Sequence, residues 1–262
     1  MKKIAIILFL ALFMFPQTLR ARVLITSIPK AGTHLICKTI EAITHTPVQD
    51  TDIHHTYDRI VEFAKANPDI PILLIVRDLR DVCLSYVNYV SLQINRHPEP
   101  KYYYLFGEFK RSDEVLATLI PMWQKMSVEE KLTAVLEAND LAPCDIDNFF
   151  RVAVELSTLP NVTLIRFENL VGSKGGGDFE QQCQEIEKIA SVYNISLHPQ
   201  HTQMIAHGLF GTTPHSRWNN TFKRGQIGSW KEVYTPNQIS TFKERFNDYL
   251  YYFGYIENEN WE

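Results

Sequence analysis

VLITSIPKAGTHLICKTIEAI, residues 23–43, changes its periodicity once, in the middle. It begins as an apolar run of strand length, turns through Pro29 and Gly32, and continues with apolar residues at helical spacing. The reading is a strand, a tight loop and a helix. Lys30, Gly32 and Thr33 fall where that helix begins, so N–H groups left without partners at a helix N-terminus lie beside an ammonium and a hydroxyl. Such a place holds phosphate or sulfate. It is not a Walker loop, GxxxxGK[ST], because the lysine precedes the glycine instead of following it.

A second stretch of the same kind is IPILLIVRDLRDVCLS, residues 70–85. Ile72 to Val76 is continuously apolar with abruptly polar ends, which suits a central parallel strand. Arg77 then emerges at the C-terminal edge, where open α/β sheets bind ligands, and Ser85 follows on a helix. A guanidinium can give a phosphate two charge-assisted hydrogen bonds, and serine adds a neutral donor. Asn161 to Phe167, NVTLIRF, reads as a third strand. Asp113–Met126, Val128–Ala138, Phe179–Tyr193 and Pro236–Phe253 read as helices, as does the middle of the His45–Pro71 connection, Tyr57–Ala66.

These segments resemble the sulfotransferases that use 3′-phosphoadenosine 5′-phosphosulfate (PAPS). PKAGT after a strand resembles their 5′-phosphosulfate loop. RDLRDVCLSY, residues 77–86, is similar to their RxxxDVxxSY, FENL from Phe167 to their YEDL, and TFKRGQIGSWK, residues 221–231, to their RKGxxGDWK. The motifs keep the family's order over most of the chain. The resemblance implies an α/β, three-layer P-loop-type fold, a central parallel sheet flanked by helices, with PAPS as co-substrate across the strand edges. It places Lys30, Ala31, Gly32, Thr33 and His34 at the 5′ end and Arg77, Ser85, Lys223, Arg224 and Gly225 on the 3′-phosphate. Phe167 would lie against the nucleotide and Trp230 behind the last loop. His55, with His54 beside it, stands ahead of Arg77 where the family has its catalytic base. Adjacent residues point to different sides of the chain, so both histidines cannot easily do one job.

The implied reaction is transfer of a sulfuryl group to a hydroxyl or amine acceptor, with release of adenosine 3′,5′-bisphosphate and no metal. Four departures stand out. Ala31 replaces a frequent serine. His34 replaces a hydroxyl donor, which it can imitate, and offers an alternative base. Lys223 replaces an arginine, and Phe167 lacks a tyrosine's hydroxyl.

The rest of the chain bounds the function. At 262 residues, 45% apolar and 21% charged, it is long enough for one large domain. A formal charge of -4 gives no polyanion-binding surface, and nucleic acid is not an expected partner. Cys37, Cys83, Cys144 and Cys183 have no ligand spacing and read as free thiols. Lys2 and Lys3 before the apolar run Ile4–Phe15 give residues 1–21 the pattern of a signal peptide or N-terminal signal anchor, ahead of a sulfotransferase-like domain over 22–262. Membrane contact through residues 4–15 and a secretory or membrane location follow from that reading; without a working signal the location is cytoplasmic.

Tyr102, Tyr103, Tyr104, Phe106 and Phe109 form an aromatic cluster in the region that builds the family's acceptor pocket. The glycine run Gly175–Gly177 reads as a flexible linker. Two other functions compete. A P-loop ATP-dependent kinase would need a GK[ST] turn and a Mg²⁺-holding acid, neither of which is apparent. The N-terminal segment favours instead an exported binding protein with a degenerate nucleotide site.

Overall fold

The computed structural model describes residues 23–56, 58–96, 113–143, 145–211 and 225–261. Residues 1–22, the aromatic cluster at 102–109, Cys144, Lys223 and Arg224 lie outside them. Four strands form one parallel sheet: β1 (Leu24–Ser27), β2 (Ile53–His55), β3 (Ile72–Val76) and β4 (Val162–Arg166), in the order β2-β1-β3-β4. Ser27 stands opposite Ile75 on one side and His55 on the other, and Val76 stands opposite Arg166. The C-terminal ends of all four strands are thereby level along one edge.

Alternation along the strands divides the core in two. Leu24, Ile72, Leu74 and Val76 face one apolar cluster, and Ile25, Leu73, Ile75 and Ile165 face the other. The second cluster is closed by α1 (Thr33–Thr44), α7 (Phe167–Leu170), α8 (Phe179–Val192) and α9 (Pro199–Leu209). The first is closed by α2 (Asp58–Ala66), α3 (Leu79–Arg96), α4 (Asp113–Lys125), α5 (Val128–Glu137), α6 (Ile146–Ser157) and α10 (Pro236–Tyr252). Helices on both faces of a parallel sheet make the three layers expected from the sequence. With both faces covered, β1 and β3 are buried at every residue, which is why they read as unbroken apolar runs.

The helix starts follow capping chemistry. Ser127 with Glu130, and Thr235 with Gln238, form reciprocal capping boxes on α5 and α10, while Asp145 and Asp178 cap α6 and α8. By contrast, α1 begins at Gly32 with no side-chain cap.

Four elements differ from the sequence reading, one of them the short helix α7, which opens at Phe167 where a strand was expected to end. β2 lies inside what reads as a connection; it has only three residues, two of them histidines, on an edge. α6 and α9 fall where no element was expected. Yet Ile146, Phe149, Phe150, Ala153 and Leu156 repeat at helical spacing behind the capping Asp145, so the signal for α6 was present.

The glycine run is not a linker. Gly175 O accepts from Ile227 N at 3.0 Å, and a Cβ on Gly175 would stand 2.7 Å from Gly225 O. The run is glycine because two backbones meet there, pinning the 225–227 segment to the turn before α8.

Candidate functional site

Several candidate groups lie at or just beyond the C-terminal end of a strand. After β1 the chain turns at Ile28–Ala31, closed by Ala31 N donating to Ile28 O at 3.0 Å, with Pro29 second and Lys30 third. Lys30 has φ 72°, the positive value that the third position of a type II turn requires. A side chain there costs on the order of 1 kcal/mol, so the ammonium is carried at the expense of local strain. Ala31 is buried and its N–H is spent inside the turn, so it shapes the loop and brings no donor.

Gly32, at φ 110°, is the N-cap of α1. A Cβ on it would sit 2.7 Å from the Phe167 ring, a distance at which the ring would have to move. Thr33 and His34 open α1, whose first-turn N–H groups point along the helix axis out of the loop.

β2 brings its two histidines to opposite sides. His54 pairs with Thr26 and is exposed, whereas His55 pairs with Ser27 and is half-buried. Ser27 Oγ lies 3.1 Å from His55 Nδ1 and 2.7 Å from Thr33 Oγ1, so one hydroxyl joins the edge strand to the first residue of α1. Burial pushes His34 down to about 4, helped by Lys30 and by His55. Burial also takes His55 down to about 4; a hydrogen bond with the Ser27 backbone opposes this, and Lys30 and His54 reinforce it. Three basic groups thus share one spot, and burial, reinforced by their mutual repulsion, keeps both imidazoles neutral at pH 7.

The other end is built on Arg77, just past β3 and 8% exposed. Its Nη2 donates to Gln226 O at 2.8 Å and to Asp81 Oδ2 at 3.3 Å, while its Nε–H, although buried, meets no acceptor among the described residues. Asp81 accepts from Gly228 N at 2.8 Å and Trp230 N at 3.0 Å, tying the 226–230 segment to α3. Burial raises the Asp81 carboxyl, and Arg77 with the two N–H groups works against that. Behind it, Arg80 is held by both Asp78 oxygens and stacked against Trp230 at 4.2 Å and Trp261 at 4.4 Å. Trp230 is buried behind this segment.

Phe167, after β4, separates the two ends with one ring. Gly32 lies against it and the Arg77 guanidinium stacks over it, 4.4 Å from the centroid. Helix α3 spans the same gap. Lys30 Nζ rests 4.1 Å above the Tyr89 ring, and Ser85 lies one helical turn back from Tyr89 on the same face, toward Arg77.

Lys30, Gly32, Thr33, His34, His55, Arg77, Ser85, Phe167 and Gly225 are therefore brought to one edge of the sheet, and His54 faces away from Ser27. Ser27, Asp81 and Tyr89 are absent from the sequence-derived set. Asp81 lies within RDLRDV and had a signal as a motif residue; Ser27, beside Thr26 in a strand that is otherwise apolar, had almost none. Among the described residues, no group of three or more His, Cys, Asp or Glu is placed to hold a metal ion. No described helix is long and apolar enough to cross a membrane.

No family model matches the chain, and no curated protein matches it. Among solved structures 46 chains do. One is mouse sulfotransferase SULT7A1 complexed with PAP, which superposes with a TM-score of 0.58 at 16% identity over 88% of this chain and 85% of that one. A likeness so complete in extent and so low in identity is one of architecture: this chain has the sulfotransferase fold.

Proposed function

We propose that the chain is a PAPS-dependent sulfotransferase acting on a hydroxyl or amine acceptor. One observation carries the reading: a single buried ring, Phe167, contacts both the Lys30–Thr33 loop and Arg77, so two anion-binding arrangements are held one side chain apart. A nucleotide with phosphate at both its 5′ and 3′ positions has that shape. The residues fit it on their own chemistry as well. The buried Nε–H of Arg77 has no acceptor among the described residues, a place that a 3′-phosphate oxygen would fill, and the crowded bases at the loop are relieved by an anion. The neighbouring structure named above holds PAP.

PAPS, when bound, supplies the activated sulfuryl group. The residues of the chain do the rest. Lys30 and the first-turn N–H groups of α1 face the bridging oxygen on which charge grows as its bond to sulfur breaks, so they act on the transition state more than on the ground state. His55 is neutral at pH 7 and takes the acceptor proton as the acceptor oxygen or nitrogen attacks. Arg77, Ser85 and the segment from Gly225 hold the far phosphate and thereby fix the reacting end in line. Lys223 and Arg224 belong to this set by sequence.

Thermal denaturation with adenosine 3′,5′-bisphosphate, with ATP and magnesium, and with neither is the direct test. A rise in Tm with the bisphosphate in the absence of magnesium, and ³⁵S transfer from labelled PAPS to a member of an acceptor panel, are the expected results. Stabilisation by ATP and magnesium alone replaces this reading with a kinase, and silence throughout replaces it with a degenerate site.

A further inference from the structure

The Ser27 hydroxyl sits between two groups with different tasks, and it has one proton to give. His55 Nδ1 is 3.1 Å away on the edge strand and Thr33 Oγ1 is 2.7 Å away on α1. Ser27 is fully buried, and the register that sets it opposite His55 is fixed by the parallel pairing of β1 with β2. Two hydrogen-bond orders satisfy these contacts and also spend the Ser27 proton on one of them.

In the first, Ser27 donates to His55 Nδ1 and Thr33 donates to Ser27. The ring proton of neutral His55 is then on Nε2, and the outer nitrogen can take no other. In the second, His55 Nδ1–H donates to Ser27, Ser27 donates to Thr33, and the Thr33 hydroxyl proton is directed away toward the mouth of the loop. Nε2 then carries a lone pair. The orders are exclusive because a serine hydroxyl holds one hydrogen.

An anion at the N-terminus of α1 accepts hydrogen bonds and gives none. It therefore favours the order in which Thr33 has a proton to offer. We propose that Ser27 is a positioning residue that makes occupation of the phosphosulfate loop set the tautomer of His55, so that the base is armed at Nε2 only when the sulfuryl donor is in place.

The inference rests on the function proposed above and deepens it. During transfer the acceptor proton moves to His55 Nε2, the acceptor atom bonds to sulfur, and the electron pair of the broken S–O bond stays on the 5′-phosphate oxygen. The three hydrogens of the Nδ1–H, Ser27 and Thr33 chain stay on their own atoms. Charge on the imidazolium strengthens each donor in turn, so the proton gained at the acceptor end is felt as a stronger Thr33 hydrogen bond at the leaving end.

Long-range ¹⁵N–¹H correlation of the histidine rings at pH 7.5, with and without saturating adenosine 3′,5′-bisphosphate, reads the tautomer directly. Thermal shift on the same sample establishes binding first. The expected result is an Nδ1–H, Nε2-lone-pair pattern for His55 in the complex. In Ser27→Ala that preference is lost and kcat falls about 10- to 100-fold, with bisphosphate affinity and acceptor KM within a few-fold of the original. Ser27→Thr keeps the hydroxyl and recovers the tautomer and most of the rate, which a purely structural role for Ser27 would not require. Binding with His55 remaining Nε2–H overturns the relay and leaves the donor site standing. Undiminished kcat in Ser27→Ala, with the fold intact by circular dichroism, overturns it too. Absence of bisphosphate binding removes the function and the relay together.

Discussion

The two ends of the proposed nucleotide site solve the same problem, holding an anion, in opposite ways. At the loop end, burial keeps the imidazoles of His34 and His55 neutral, and repulsion from Lys30 adds to it. At the Arg77 end the positive charge already has a counter-charge, since Asp81 takes one guanidinium nitrogen and two backbone N–H groups. The first end gains most from a ligand and is the place for chemistry. The second is an assembled anchor that keeps its shape without one. Catalysis needs charge held in reserve where bonds break, and a firm grip where they do not.

Substitutions at the two ends should therefore fail differently. Lys30→Ala is expected to lower kcat about 10²- to 10³-fold, with bisphosphate affinity falling far less; steady-state kinetics beside calorimetric titration separates the two. Asp81→Asn replaces an acceptor-only carboxylate with an amide whose NH2 donor must face N–H groups. It should cost about 3 kcal/mol of stability and loosen bisphosphate binding by more than tenfold, measured by denaturant unfolding and titration. Equal losses of kcat and affinity in both variants would erase the contrast between the ends.

Gly32→Ala tests the ring between them. Its positive φ and the Phe167 contact predict a loss of about 1–3 kcal/mol and weaker binding at both ends, read by Tm and by titration.

The pH response sharpens the comparison further. His34 and His55 titrate near 4 when folded and near 6.5 when unfolded, so the unfolded chain binds more protons between these values. Ligand-free stability should then fall as pH drops through 6.5 toward 4. Adenosine bisphosphate should stabilise the protein increasingly over that window, because an imidazolium beside phosphate is favourable; Tm measured across the window with and without ligand is the check. The smallest effect is expected of Phe167→Leu, which removes the stack under Arg77 at about 1 kcal/mol and should appear mainly in the dissociation rate of the bisphosphate.

Much of the frame was legible because its strands are short and largely apolar. Val23–Ile28, Ile72–Val76 and Val162–Arg166 announce themselves by composition, and the charged residues just beyond them mark the edge where ligands bind. β2 did not, since an edge strand of three residues with two histidines has neither length nor hydrophobicity. The glycine run misled for a similar reason: the same letters serve a slack chain and a place where two backbones touch, and only the partner, here Gly225 and Ile227, tells them apart.

The amino-acid order by itself determined the strand–loop–helix units, the loop after β1 and the arginine after β3, because local periodicity and turn chemistry act over a few residues, while the layered architecture came from the family resemblance. It could not tell that His55 and not His54 pairs with Ser27, reveal Ser27 as the link from His55 to the loop, or show that Asp81 holds the segment from Gln226 to Trp230. Those outcomes depend on strand register and on contacts between residues far apart in the chain, which exist only once the sheet has formed.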